Sequence, residues 1–375
     1  MKCIEVKTDP SYNVWIGSAL TSQIGKLLYP IASGHRVAMI TDMYVDPLYG
    51  EEVIAAIEDY GIEVQSFPIM VEEKTKNLST VETLLRKLTQ ENYSKDDVIL
   101  DVGGGMISDI AGMTAALFLS GIKVVHMPST LLAMTDAAIG GKAELNLPEG
   151  KGIVGTVYQP ELVVADIDML ATLPEHEIRS GMGEIMKYSV LEDSGLYNKL
   201  LNHPARTDLN DLENIIWQCA QIKAHIVEDD PAGFGNRGLV RLGHTAGQAI
   251  EAATDYSILH GEAVGLGMLV MAYGTGNRKT GDKIKALLEK YDLPTTIEWP
   301  DREIISAALF KGVEDRNYEG TYSIVVPEAI GHCTRKKVSA RELTLILKKG
   351  LVAIKHGKNQ SGKRHSLRSF RRARS

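Results

Sequence analysis

Glutamate, histidine, lysine and arginine crowd into a few short stretches of the second half of this 375-residue chain. RLGHTAGQAIE (241–251) carries His244 and, four residues on, Gln248. A helix puts both on one face, one turn apart. Zinc-binding helices often have histidine at both positions, and glutamine is a poor zinc ligand, so the pattern here is broken. ILHGEAVGLGM (258–268) adds His260 and Glu262, with small residues around the polar ones, which suits close backbone packing about a buried polar group. LPEHEIRSGMGEIMKYSVL (173–191) adds Glu184 and Lys187 on one helical face, IKAHIVEDD (222–230) adds Lys223 and His225, and Arg237 precedes Arg241. One glutamate with two histidines is a common ligand set for catalytic zinc, with a fourth position open to substrate. The competing readings are histidines satisfied by hydrogen bonds and a surface Glu184–Lys187 ion pair. The cations suit an anionic substrate.

A second group of residues points to a nucleotide. VILDVGGGMISDIAGMTAALF (98–118) reads as a strand, the glycines Gly103, Gly104 and Gly105, and a helix. Glycine lets the backbone approach a phosphate closely, and the helix N-terminus offers free N–H groups and a partial positive charge. The spacing is not GxGxxG, so tight strand–helix packing competes with phosphate binding. ITD (40–42) ends a strand with Asp42, an acid able to accept from ribose hydroxyls. EKTKNL (73–78) sets Glu73 and Lys76 just ahead of a helix.

The elements that must hold these residues fall into two sets. Up to about residue 170, β-branched runs alternate with helical segments: strands at 35–42, 63–69, 97–102, 122–128 and 161–167, helices at 45–61 and 78–93. Such alternation makes βαβ units and a mostly parallel sheet covered by helices. The first residues, with KTDPSYN between two alternating runs, read as a hairpin added to that sheet. After residue 170 helical periodicity dominates, with one late hairpin expected at 321–338. The fold class expected is an α/β, Rossmann-like N-terminal domain (1–170) plus a mainly α-helical C-terminal domain (171–350).

Composition narrows the partners. The chain is 44% hydrophobic and 24% charged, ordinary for a globular protein. It has no apolar run long enough to span a membrane and no apolar signal block at its start. Cys3, Cys219 and Cys333 are odd in number and far apart, which fits a reducing cytoplasm. Residues 355–375 hold eight Lys/Arg and no acid. Removing those eight from 41 leaves 33 basic residues against 48 acidic, a net of −15. The segment 351–375 is therefore expected to be a basic, disordered tail, and the acidic body argues against nucleic acid as the main partner.

Several long, ordered motifs complete the reading: EEKTKNLST, DVGGGMISDIAGMTAA, MPSTLLAMTDAAIGGKAELNLPEGK, YQPELVVADIDMLATLP, SGMGEIMKY, GHTAGQAIE and HGEAVGLGM. Through them, residues 1 to about 345 resemble the 3-dehydroquinate synthase family, within the sugar phosphate cyclases. The resemblance implies an NAD-binding domain, a helical domain and an active site in the cleft between them. It implies a divalent metal, zinc or cobalt, held by Glu184, His244 and His260. It assigns NAD to Asp42, Glu73, Lys76, Gly103, Gly104, Gly105, Asp109, Ser129 and Thr130, with Lys142, Lys151 and Thr172 nearby. Substrate and catalytic positions map onto Asp136, Lys142, Lys187, Lys223 and Arg237. The implied substrate is a seven-carbon sugar acid phosphate. It is oxidised by NAD, loses phosphate, is reduced again, opens and closes by an intramolecular aldol step. A homodimer is implied, with neither nucleic acid nor membrane as partner.

The chain departs from the family pattern at positions near the implied substrate. Ser120 stands where an arginine reaches the substrate phosphate of the neighbouring subunit, Gly152 where an asparagine contacts substrate, and Arg241 where the family has another asparagine. Gln248 replaces a histidine, and Asp315, Arg316 and Asn317 replace an Asp-Lys-Lys motif. Glu72 and Ser108 replace glycines. Arg241, Gln248 and Arg316 are thus candidate divergent substrate contacts. Three other functions compete: a cyclase for a different sugar phosphate, an NAD- and metal-dependent polyol or glycerol phosphate dehydrogenase, and a non-catalytic metabolite-binding paralogue.

Overall fold

The structure is a computed structural model that describes residues 1–192, 194–202, 209–233, 235–310, 316 and 319–355. The N-terminal half builds a seven-stranded sheet. In chain order it contains β1 (Lys2–Val6), β2 (Tyr12–Gly17), α1 (Ile24–Ala32), β3 (Arg36–Asp42), α2 (Glu51–Glu58), β4 (Glu63–Ile69), α3 (Leu78–Gln90), β5 (Val98–Gly103), α4 (Gly105–Leu117), β6 (Lys123–Pro128), β7 (Lys142–Leu147), β8 (Gly150–Val157) and β9 (Leu162–Asp166). The strand order is β1-β2-β9-β6-β5-β3-β4. Only the β1–β2 pair is antiparallel, the expected added hairpin.

β3 and β5 run as nearly unbroken apolar stretches because both faces of the sheet are covered. α3 forms because Asn77 caps it, accepting from Thr80 N–H at 3.0 Å, and because Val81, Leu84 and Leu88 return at helical spacing to the buried face. That face of the sheet packs against α3, α4 and β7. The core on the other face continues into the helical half.

From β3 the chain passes to β4 on one side, then back to β5 on the other. This reversal is the switch point at which open parallel sheets leave a crevice beyond their strand ends. The register aligns Thr41 with Val102, so Asp42 and Gly103 lie at neighbouring strand ends. Thr41 Oγ1 donates to Val102 O at 3.0 Å and ties them together.

The helical half comprises α5 (Glu175–Leu191), α6 (Ser194–Asn202), α7 (Leu209–Asp229), α8 (His244–Ala253), α9 (His260–Gly274), α10 (Arg278–Lys290), α11 (Asp301–Phe310), the late hairpin β10 (Thr321–Ala329) and β11 (His332–Ser339), and α12 (Ala340–Lys355). α9 is the central helix, buried along most of its length.

Three boundaries differ from expectation. The helix expected at 45–61 opens as a wider π turn, Asp46–Gly50, before α2. The β7–β8 hairpin was not expected, since β7 alternates with the polar residues Lys142, Glu144 and Asn146 and the β-branched residues of β8 are interrupted by glycine. α12 runs to Lys355 with Leu351 and Ile354 buried, so the first five residues of the expected tail belong to a packed helix. The rest of that tail, 356–375, lies outside the described residues. Among the described residues, no helix is long and apolar enough to cross a membrane.

Candidate active site

Glu184, His244 and His260 converge: one ligand atom from each lies within 4.8 Å of the others. They come from three helices. Glu184 lies mid-way along α5, His244 opens α8 and His260 opens α9. Glycines make this approach feasible. A Cβ on Gly183 would lie 2.2 Å from Gly261 O, and one on Gly261 would lie 1.7 Å from Ser180 O. The backbones of α5 and α9 therefore touch beside Glu184 and His260. On the other side of α9, a Cβ on Gly267 would lie 1.9 Å from Gly243 O. Gly243 has φ 81°, which turns the chain so that His244 starts α8. The small residues of HGEAVGLGM thus serve the close packing expected of them. Glu262 caps α9, accepting from Leu259 N–H at 3.4 Å, and His225 pairs with Asp229 at the surface.

The charges here suit a cation. Glu184 is 1% exposed, and neither of its oxygens accepts a well-directed hydrogen bond. Lys187 Nζ stands 2.5 Å from Oε2 and His260 Nε2 stands 3.4 Å from Oε1. Burial lowers the His244 pKa well below its ordinary value, reinforced by Lys187, His260 and Arg241, so its imidazole is neutral and available as a ligand. Burial also opposes protonation of His260, but Glu251 and Glu184 outweigh it and raise its pKa to about 10. The buried Glu184 carboxylate, the neutral His244 imidazole and the His260 ring facing Glu184 are donor types that a divalent ion takes.

Asp136 stands next to this group. It lies in the π turn Ala133–Ala137 and receives hydrogen bonds from Lys187 Nζ, at 2.5 Å, and from Lys223 Nζ on α7. Burial alone would raise the Asp136 pKa, but the two ammonium groups hold it well below the ordinary carboxylate value. Lys187, 1% exposed, is shared between Asp136 and Glu184 and stays charged. The surface ion-pair reading of Glu184 and Lys187 is thereby replaced by a buried one. Tyr188, fully buried, has its hydroxyl pKa pushed well up by burial, then by Asp136 and Glu184. Leu131, one residue after Thr130, packs under α5: a Cβ on Gly181 would lie 2.7 Å from Leu131 Cβ. This contact joins the two halves directly at the site.

The expected cofactor residues gather at the switch point. Gly104 caps α4 in an extended conformation, and Ser129 N–H donates to Gly103 O at 2.8 Å. Thr130 lies against Gly104. A Cβ on Gly103 would lie 2.6 Å from Ile107 Cγ1 and one on Gly105 2.8 Å from Ala137 Cβ, so packing itself demands glycine there. Gly104 and Gly105 are partly exposed, which leaves the α4 N-terminus open to an anion. Burial raises the Asp42 pKa against the hydrogen bond from Tyr44 N–H. Lys76 pairs with Asp109, Lys142 with Glu144, and Lys151 with Glu73 at 2.7 Å. Thr172 Oγ1 meets the hydroxyl of Tyr49, a residue of the π turn that follows β3, at 2.7 Å.

Among the divergent positions, Arg241 Nη2 donates to Gln248 Oε1 at 3.4 Å, so the two altered residues meet beside His244. Gly152 has φ 64°, and its N–H donates to Asn146 Oδ1 at 3.1 Å. Ser108 donates to buried Asp101 at 3.0 Å, and Asp101 in turn holds His126, which gives this serine a partner where glycine is usual. Glu72 pairs with Lys74 at the surface, 3.4 Å away. Arg316 is exposed and bridges by its backbone to Tyr322; among the described residues no side-chain contact links it to Asp136. Asp315 and Asn317, and the side chain of Arg237, lie outside the described residues. The sequence reading missed Glu251 and Asn146. Glu251 is 2% exposed, contacts His260 and accepts from Lys151. Asn146 binds Glu73 through Nδ2 at 3.0 Å and Lys76 O through its N–H at 2.8 Å. Both stood inside quoted motifs.

The profile described as 3-dehydroquinate synthase N-terminal matches residues 66–180, and the one described as 3-dehydroquinate synthase C-terminal matches residues 181–311. The chain belongs to the 3-dehydroquinate synthase family. A 3-dehydroquinate synthase of Clostridium acetobutylicum is 34% identical over 353 residues, covering 91% of this chain and 98% of that one. Two solved structures share the fold. One is a 2-deoxy-scyllo-inosose synthase complexed with carbaglucose-6-phosphate, NAD+ and Co2+ (TM-score 0.82, 22% identity, 93% of this chain and 100% of that one). The other is ValA, a 2-epi-5-epi-valiolone synthase from Streptomyces hygroscopicus subsp. jinggangensis, with NAD+ and Zn2+ bound (TM-score 0.80, 24% identity, 91% and 97%). For this member of the 3-dehydroquinate synthase family the expected architecture holds, an α/β half and a helical half with the ligand candidates at their junction.

Proposed function

We propose that the chain converts 3-deoxy-D-arabino-heptulosonate 7-phosphate into 3-dehydroquinate and inorganic phosphate, a reaction of the shikimate route to aromatic amino acids. One observation carries the reading: Lys223, Asp136, Lys187, Glu184 and His260 form an unbroken run of ion pairs, with His244 beside it, below the glycine turn. Glu184, His244 and His260 would hold a divalent metal, zinc or cobalt. When bound, the metal supplies polarisation of a substrate hydroxyl and carbonyl, and NAD supplies reversible hydride transfer.

The chain's own groups bind and orient. Lys187 and Lys223 are cations fixed by Asp136, ready to donate to anionic oxygens of a sugar acid phosphate without reorganising. Being held charged, Lys187 acts as a donor rather than as a base. Lys142, 45% exposed by its side chain, would meet the substrate from β7. Arg241 adds positive charge from the turn Asn236–Arg241 that precedes α8, and Arg237, a substrate position by the resemblance, belongs to the same turn. The α4 N-terminus, with Asp42, Glu73, Lys76, Asp109, Ser129, Thr130, Lys151 and Thr172, would hold NAD. On this reading residues 1–170 form the cofactor domain and 171–350 the metal and substrate domain.

The test is incubation of the purified chain with the heptulosonate phosphate, NAD and zinc or cobalt, reading phosphate and dehydroquinate together. Equal amounts of both, with no net NADH, support the reading, and absence of both products overturns it. NADH accumulating with substrate consumption would instead indicate the dehydrogenase.

A second reading keeps the chemistry and changes the sugar. The Arg241–Gln248 contact favours it, because both positions are altered beside the metal candidates. A cyclase for another sugar phosphate would release phosphate from that sugar and leave the heptulosonate phosphate untouched.

The homodimer and the cytoplasmic setting are further parts of this proposal. Leu117 and Leu119 are 51% and 54% exposed just before Gly121, which packs against Tyr158, and neighbouring Val157 is 39% exposed. A second copy would cover this apolar edge. Cys3, Cys219 and Cys333 are all free thiols, as a reducing compartment requires.

A further inference from the structure

We infer that Glu251 is a positioning residue that orients His260 and, through Lys151, couples the cation site to the cofactor lobe. The inference rests on the functional reading above. Glu251 follows His244 by seven residues, two helical turns, so both project from one face of α8. His244 reaches the centre of the ligand group and Glu251 reaches behind it. Each Glu251 oxygen lies 3.4 Å from His260 Nδ1. The other ring nitrogen, Nε2, faces Glu184 at 3.4 Å. A carboxylate on one imidazole nitrogen fixes the proton there and leaves the lone pair on the other, which is how ligating histidines are oriented.

Glu251 has a second partner from the other half of the molecule. Lys151, on β8, donates to Glu251 Oε1 at 3.0 Å and to Glu73 Oε1 at 2.7 Å, with its ammonium 4.5 Å from the centre of the Tyr256 ring. Glu73 lies in the loop ahead of α3, among the expected cofactor contacts, and Asn146 holds it from the β7–β8 hairpin. A polar chain Glu73–Lys151–Glu251–His260 therefore crosses from the cofactor crevice to a ligand candidate. Glu251 is buried, so its charge requires both partners, and a change at either end alters what the other end must supply. Ligation of His260 and occupation of the crevice then share one set of ion pairs, and their binding energies are reciprocally linked.

The experiment uses the full chain and titrates Co2+ by calorimetry and visible absorption, then NAD with and without Co2+. In the unsubstituted chain, Co2+ is expected to change NAD affinity by about fivefold or more. Glu251→Gln keeps the shape and removes the charge; Co2+ affinity is expected to fall by about 10- to 100-fold with a shifted absorption band. Lys151→Met leaves Glu251 with His260 as its remaining partner; Co2+ affinity is expected to fall less than in Glu251→Gln, while the NAD affinity ratio with and without Co2+ collapses towards one. Unchanged Co2+ affinity and band in Glu251→Gln, or an undiminished ratio in Lys151→Met, overturns the inference. Should Glu251→Gln fail to fold by circular dichroism, the Lys151→Met ratio decides alone. An unsubstituted chain that binds neither Co2+ nor NAD overturns the functional reading, and this inference with it.

Discussion

Lys187 Nζ lies 2.5 Å from Asp136 Oδ2, and the two residues come from different halves of the chain. Asp136→Ala would remove the carboxylate that Lys187 and Lys223 share and leave two ammonium groups with Glu184 on the Lys187 side alone. Removing one member of a buried charged cluster costs about 3–5 kcal/mol. Urea unfolding should therefore show a loss of that order, together with loss of turnover. A loss below about 1 kcal/mol would mean that the cluster behaves like a surface pair.

The same cluster sets an acid limit. The folded pKa of Asp136 lies well below its ordinary value, whereas an unfolded aspartate titrates near about 3.9. A depressed folded pKa gives stability that is fully present above the unfolded value. It is lost as pH falls from about 3.9 through the folded one. Between pH 7 and 5 Asp136 should contribute no slope. Below that, Asp136→Asn should show a flatter fall of stability with acid than the unsubstituted chain. Parallel curves in a pH series of chemical denaturations would refute this.

Gly183→Ala tests the helix crossing. Its Cβ would meet Gly261 O at 2.2 Å, backbone against side chain, with no flexible group to yield. Overpacking of this kind costs about 1–3 kcal/mol. Because the strain falls between Glu184 and His260, cobalt or zinc binding should weaken while NAD binding stays within about twofold. Calorimetric titration with each ligand separates the two effects, and equal weakening would speak for general loss of structure.

Metal removal should also register as lost stability. A ligand at a hundredfold excess over its Kd stabilises the native state by about 2.7 kcal/mol. Chelation should lower the melting temperature of the unsubstituted chain and leave that of His244→Ala unmoved. If His244→Ala still responds to added zinc as the parent does, His244 is not a ligand.

Arg241→Ala addresses substrate choice. A hydrogen bond to a charged group is worth about 1.5–3 kcal/mol, or roughly tenfold to a hundredfold in affinity. Substrate or phosphate binding should fall by that factor with NAD affinity intact. Matching losses for both ligands would make Arg241 a structural partner of Gln248.

Much of the fold was legible because apolar runs report the sheet directly. β3, β5 and β6 match their expected spans closely, since strands covered on both faces must be apolar throughout, and the half-exposed edge strand β4 matches as well. The β7–β8 hairpin escaped notice because residues such as Lys142, Glu144 and Asn146 are held there by ion pairs and hydrogen bonds rather than by burial. For the site, residue types and spacing led only to a glutamate and two histidines of unstated partnership. Naming the set needed the family resemblance, because Glu184 and His260 are joined by a helix crossing that no local spacing encodes. Glu251 was within reach: seven residues after His244 is a same-face interval. Gln248, four residues on, drew attention because it broke a familiar pattern.

The contact of Gly181 with Leu131 has a mechanical consequence. It joins the halves three residues from Glu184 and one from Thr130, so any rotation that preserves it pivots beside the reacting groups. Displacement grows with distance from a pivot. A rotation that kept this contact would leave Thr130 and Glu184 at nearly constant spacing and would move the rim most.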